Sequence, residues 1–142
     1  MALNGGRAIQ LFFKVVGEVI AAAKSREDLK TFAEALEKAN GQLQAATMWL
    51  VQNGMANPNN AGAAATSYMH LTGIVALGLM WLRMAKASSE RLAEGAGNAD
   101  FHTAKLATAR FYAERIMPES NAHRRKIEAG ADSLMALPAE AF

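Results

Sequence analysis

Between Lys38 and Arg83 lie 44 consecutive residues, Ala39 to Leu82, without a single Asp, Glu, Lys or Arg. An ordinary surface helix turns a charged face to water, and this stretch cannot. Nor can all of it point inward in a 142-residue chain. Its outside must be covered by neutral amides, of which Gln42, Gln44, Gln52, Asn53, Asn59 and Asn60 are at hand, or by another protein. Amides leave water far more cheaply than unpaired ions do. The stretch is therefore expected to supply the main partner surface, at its hairpin end.

The periodicity is helical throughout, and 31 alanines favour helix at almost every outward position. Ile9, Phe12, Phe13, Val16, Val19, Ile20 and Ala23 form one stripe of a first helix over 6–23. Ser25, with Asp28 three residues on, reads as the start of a second helix. Leu29, Phe32, Leu36, Leu43, Thr47 and Leu50 mark its buried face, and Gly54 is read as its left-handed end. Asn57-Pro58-Asn59-Asn60 opens a long third helix reaching about Glu94. Its centre is apolar all round, so it belongs in the middle of the core, with Leu71 and Leu77 buried and Gly73 and Gly78 admitting close neighbours. After the Gly95–Gly97 turn, Asn98 or Asp100 caps a fourth helix running to Met117, which Pro118 breaks. A shorter fifth runs from Glu119 to Met135 or Ala136, turning Ile127, Ala131, Leu134 and Met135 inward. The expectation is an all-α, up-down bundle of four major helices plus a shorter C-terminal one, a single domain over 1–142.

The strongest apolar run, Leu71–Leu82, is shorter than the roughly 20 residues that cross a bilayer, so it reads as a core helix and no membrane partner is expected. No signal peptide is visible at the N-terminus, and a cytoplasmic setting follows as the default. The absence of cysteine removes disulfides, thiolate metal sites and thiol nucleophiles. A net charge of +2 with mixed signs throughout gives no nucleic-acid footprint.

Candidate chemistry is sparse. His70, His102 and His123 lack metal-ligand spacing, and His70 reads as a core or interface histidine. Glu27, Asp28, Glu34 and Glu37 lie among lysines, where the pairs Glu27–Lys30 and Glu34–Lys38 explain them as helix-surface ion pairs. Arg110, Arg115, Arg124, Arg125 and Lys126 could hold an anion, but Glu114, Glu119 and Glu128 answer them. Trp49, Tyr68, Trp81, Phe101, Phe111 and Tyr112 sit where core aromatics sit. No nucleophile elbow, phosphate-binding glycine loop or dinucleotide fingerprint is present. No catalytic, cofactor-binding or metal residue is assigned.

One set of motifs carries a resemblance. Asn57-Pro58 with Ala61-Gly-Ala63, Tyr68-Met-His-Leu-Thr-Gly73, Trp81-Leu-Arg-Met-Ala85, and the run from Lys105 through Phe111-Tyr-Ala-Glu-Arg-Ile-Met-Pro118 stand in order along the chain. Together with Ala129-Gly-Ala-Asp-Ser-Leu-Met135, they resemble the C-terminal helical extension of FAD-dependent acyl-CoA dehydrogenases. Asn4-Gly5-Gly6 fits as well, except that the family more often has Asp first. The resemblance implies an accessory bundle on the dehydrogenase body or a neighbouring subunit, aiding assembly or shaping the substrate entrance. It also implies that FAD, the thioester and the catalytic glutamate belong to that body. Two other readings stand beside it: a free-standing bundle that self-associates as a homo-oligomer, and a small apolar-ligand binder built on Met48, Trp49, Met80 and Trp81.

Overall fold

The computed structural model describes residues 6–141, and every described element is helical. Helix α1 is Arg7–Lys24, α2 Lys30–Asn53, α3 Pro58–Ala93, α4 Ala99–Phe111 and α5 Glu119–Glu128. A π-turn, Tyr112–Ile116, joins α4 to α5, and a short 3-10 turn covers Ala139–Ala141. Asn4 and Gly5 of the N-terminal motif lie outside the described residues. Gly6 caps α1 at φ 78, a left-handed conformation that glycine reaches without steric cost.

α3 is the central element, packing against α1, α2, α4 and α5. α1 lies mainly on α2. The expected fourth place in the bundle is taken by α5, which packs on both α2 and α3, while α4 rests on α3. The core is made by Val16 and Ile20 of α1, Leu36 and Leu43 of α2, Leu71, Val75 and Leu82 of α3, and Ile127 of α5. All six residues expected on the buried face of the second helix are buried.

Local chemistry explains the boundaries that the sequence marks and those it disguises. Asn57 accepts from the Asn59 amide with Pro58 in the first turn, and Asn98 accepts from the Phe101 amide. Both caps stand where expected. Ser25–Asp28 does not cap α2. Ser25 closes α1, its hydroxyl donating to the Ala22 carbonyl, and Asp28 is drawn to Arg26 and Ser89. Gly54 is right-handed at φ -73, because the helical hydrogen bonding runs on through Asn57 N–H to the Asn53 carbonyl.

The π-turn replaces the last turn expected of the fourth helix. Proline offers no N–H, and its ring presses on the carbonyl four residues back. Widening the turn before Pro118 relieves that clash, and the Met117 amide reaches the Tyr112 carbonyl instead. The widened turn delivers Met117 onto Gly78 of α3. A Cβ at Gly78 would lie 2.7 Å from Met117 Cε and 2.9 Å from Leu36 Cδ1, so glycine there brings three elements together. Gly73 faces open space and admits no neighbour.

Two expectations about burial fail. α5 stops at Glu128 because Gly130 turns left-handed at φ 68, leaving Leu134 and Met135 exposed. Ile127 and Ala131 do point inward. The centre of α3 is not covered on every side, since Leu77 is 55% exposed. Length also corrects the hydropathy reading. An 18-residue window of α3 has mean hydropathy 1.3, enough by length and composition to cross a membrane, although α3 is here the central helix of a bundle.

Candidate functional site

The titratable groups are dispersed. His70 is exposed on α3 and stacks on His123 of α5, ring centroids 5.3 Å apart, so it is an interface rather than a core residue. Nδ1 of His123 is buried without a partner. Burial first, then His70 and Lys126, hold the His123 imidazole below its ordinary value, with Glu119 opposing. A neutral ring suits this place, because a second cation would face His70 and Lys126. His102 is half-buried with Nδ1 3.4 Å from the Ser88 hydroxyl, more enclosed than its position after a cap suggests. Among the described residues, no three His, Asp or Glu side chains gather to hold a metal ion.

The carboxylates serve surface and tie contacts. Lys24 pairs with Glu37 at 2.6 Å, and Arg26 bridges Asp28 at 2.8 Å and Glu90 at 2.9 Å. The guanidinium of Arg26 and the Ser89 hydroxyl hold Asp28 below the usual carboxylate range. Neither Glu27–Lys30 nor Glu34–Lys38 is among the ion pairs of the described residues; of the four carboxylates, Glu37 pairs with Lys24 and Asp28 with Arg26. The basic positions do not converge. Arg110 pairs with Glu114 on an exposed face as expected from their order, whereas the Arg124–Glu128 pair is half-buried, with Arg124 Nε lacking a hydrogen-bond partner.

Four of the six aromatic side chains, Trp49, Tyr68, Trp81 and Tyr112, pack in or against the core. Tyr112 is buried, donates to the Ile74 carbonyl at 3.0 Å and is pushed up to about 12 by burial and Glu119. Trp81 lies against Tyr112, with Lys105 above Trp81 and Phe101. Tyr68 shares a hydrogen bond with Thr47. Phe101 and Phe111, expected in the core, are 54% and 57% exposed, because α4 has a packing partner on one side only. The four residues of the apolar-pocket reading do not meet. Trp49 lies against Gly130, Trp81 against Tyr112, and Met48 and Met80 face solvent.

Two grooves flank the first half of α2. One, of about 500 Å³, runs between α2 and the Ala113–Asn121 segment and is rimmed by Glu34, Lys38 and Glu114. The other, of about 420 Å³, lies between α2 and α4 over Leu29, Phe32 and Leu106, rimmed by Asp28, Arg110 and Glu114. Their rims mix both signs, and although the Ser89 hydroxyl donates to Asp28 in the second groove, that carboxylate is already held by the Arg26 guanidinium.

The strongest surface feature is the charge-free hairpin itself. Gln44, Gln52 and Asn59 are exposed, while Gln42, Asn53 and Asn60 are half-buried. On α3, Met69, Leu77 and Met80 are 64%, 55% and 41% exposed on the side away from the core. Periodicity missed that face, since an all-apolar helix does not announce which side is covered.

A family described as "Acetyl-CoA dehydrogenase C-terminal like" matches residues 12–138. A curated relative, 3-methylmercaptopropionyl-CoA dehydrogenase of Ruegeria pomeroyi, is 31% identical over 137 residues. That match covers 93% of this chain but 22% of the relative, so the chain spans about a fifth of the relative's length. With nearly all of its helical body inside the family match, the chain belongs to the acyl-CoA dehydrogenase C-terminal family.

Proposed function

We propose that this chain is the accessory helical domain of a flavin-dependent acyl-CoA dehydrogenase, seated on the body that holds the flavin and the thioester. It aids assembly or shapes the substrate entrance and supplies no reacting group. The observation that carries this reading is the partial match: nearly all of this chain corresponds to about a fifth of a dehydrogenase. The dispersed titratable groups support it, because acid–base work needs a positioned pair within hydrogen-bond reach of one substrate atom.

In this reading FAD is held by the body. The residues described here fit it poorly: Tyr68 and Tyr112 already spend their hydroxyls on Thr47 and Ile74, and Trp81 is packed against Tyr112. The left-handed glycines 6, 95, 97 and 130 stand at helix ends rather than in a strand-to-helix turn. The substrate class is an acyl-CoA, as in fatty acid metabolism; the relative's own substrate by name is 3-methylmercaptopropionyl-CoA. The partner is the dehydrogenase body of the same enzyme or a neighbouring subunit, in the cytoplasm.

Dye reduction tests the reading. The purified chain with FAD and a panel of acyl-CoA thioesters is expected to give no turnover above background, and the complete polypeptide that carries it is expected to turn over at least one. Activity in the isolated chain, or a complete polypeptide that binds no flavin, would overturn it.

A further inference from the structure

α3 changes character along its length. From Arg83 onward its outward side carries Arg83, Lys86, Glu90 and Arg91, and three of these, Lys86, Glu90 and Arg91, join ion pairs with neighbouring segments or along the helix and its cap. Before Arg83 the outward stripe is Gly62, Thr66, Met69, Gly73, Leu77 and Met80. Gly62 and Gly73 meet nothing within 4 Å, and only 33% of the apolar window is buried. The 18 steps from Gly62 to Met80, at roughly 1.5 Å each, make a stripe about 27 Å long. Lys14 and Glu18 of α1, Lys38 of α2, and Arg125 and Lys126 of α5 give the other core-packing helices exposed charge.

We propose that this stripe of α3 is the face on which the dehydrogenase body of the same polypeptide docks; this rests on the accessory-domain reading above. Area selects the occupant. A stripe about 27 Å long and roughly 10 Å wide offers about 300 Å² a side. A free dimer needs roughly 800 Å² a side, so a second copy of this chain is too small a reward for two separate molecules. Domains joined in one chain meet through as little as about 600 Å² counted over both sides, since tethering keeps the partner at high effective concentration. About four-fifths of the relative's length lies outside the match, which is ample for such a partner. A bilayer fits worse, because interfacial helices line the polar edge with Lys and Arg, and this stripe has none between Gly62 and Met80.

The test uses the complete polypeptide in its native host. A photo-crosslinking amino acid is placed at Leu77 or, as a control on α4, at exposed Thr103, and crosslinked peptides are identified by mass spectrometry. Leu77 is expected to crosslink to a dehydrogenase-body peptide of the same chain at least fivefold more than Thr103. Equal crosslinking, crosslinks to a second α3, or crosslinks to lipid would overturn the assignment. A second measurement uses Leu77→Lys with Gly73→Lys, since Gly73 faces open space and Leu77 is more than half exposed, so that helical content is expected to hold. Limited proteolysis should then release the helical domain at least tenfold faster; an unchanged rate would overturn the assignment. A complete polypeptide without a dehydrogenase body would sink the accessory-domain reading as well. A body present but crosslinked only elsewhere would sink this inference alone.

Discussion

The two ends of the α2–α3 hairpin do the same mechanical job with different chemistry. At one end, the α1–α2 turn is tied to α3 by ions: Arg26 holds Asp28 and Glu90, and Ser89 donates to Asp28, while Lys24 of α1 reaches Glu37 of α2. At the other, the α2–α3 turn is tied to the end of α5 by one amide. Asn60 Oδ1 accepts from the Ala131 amide at 3.0 Å, and its Nδ2 donates to the Asn53 carbonyl at 3.3 Å. Thr47 and Tyr68 add a neutral link at 2.8 Å. Charged ties hold a shell of water and counterions about them. Neutral ties fix the chain while leaving the surface able to dock without stripping ions. The missing charge is therefore local to one end rather than a property of the whole fold.

The largest effect falls on both ends at once. Leu71 is fully buried in the central helix, and Leu71→Ala should cost about 2–5 kcal/mol in chemical denaturation. Next comes the amide pin. Asn60→Ala strands the Ala131 amide and should cost about 1–3 kcal/mol. That loss should not change with added salt, unlike any loss at the ionic end.

How much of this could be read beforehand depends on whether the deciding contact is local. The caps at Asn57 and Asn98 were legible because each side chain bonds an amide two or three residues on. The turn at Ser25–Asp28 was misread because the partners of Asp28 include Ser89, 61 residues away. The end of α5 was missed because Ala131 to Met135 are mostly good helix formers, whereas Gly130 is turned by its place beside Asn60 and Trp49. The absence of charge from Ala39 to Leu82 was plain in the sequence. Which side of α3 stays bare required knowing that α4 and α5 both pack on it.

The ends should also titrate in different windows. Asp28 is held below its model-peptide value of 3.8, so its contribution is present above that pH and is lost as pH falls through the lower folded value. Its side chain is 44% exposed, so Asp28→Asn should cost under about 1 kcal/mol at neutral pH, and less in high salt. At the amide end the group is His123, held below 6.5. It faces His70 on α3 and Lys126 and Glu119 on its own helix, and α2 beyond Lys38 adds no charge. The unfolded chain takes up the proton first, so stability should decline as pH drops through 6.5 and level off below the folded value. Thermal melts of His123→Gln should be flatter over roughly pH 5–7 than those of the parent chain. A parent that is equally flat would remove this distinction between the ends.

The smallest effect separates the covered side of α3 from the bare one. Leu77 and Leu71 sit six residues apart on one apolar helix, and composition alone treats them alike. Leu71 is sealed, whereas Leu77 is 55% exposed on the bare side. Leu77→Ala removes little buried area and replaces one good helix former with a better one. In the isolated chain it should shift stability by less than about 0.5 kcal/mol. In the complete polypeptide the same change should cost more, because the leucine would then be covered. The difference between those two measurements reads coverage of the face directly, since the helix and its core contacts are common to both. Equal small losses in both settings would mean that the face is bare in the whole protein too, and that its lack of charge serves no contact through Leu77.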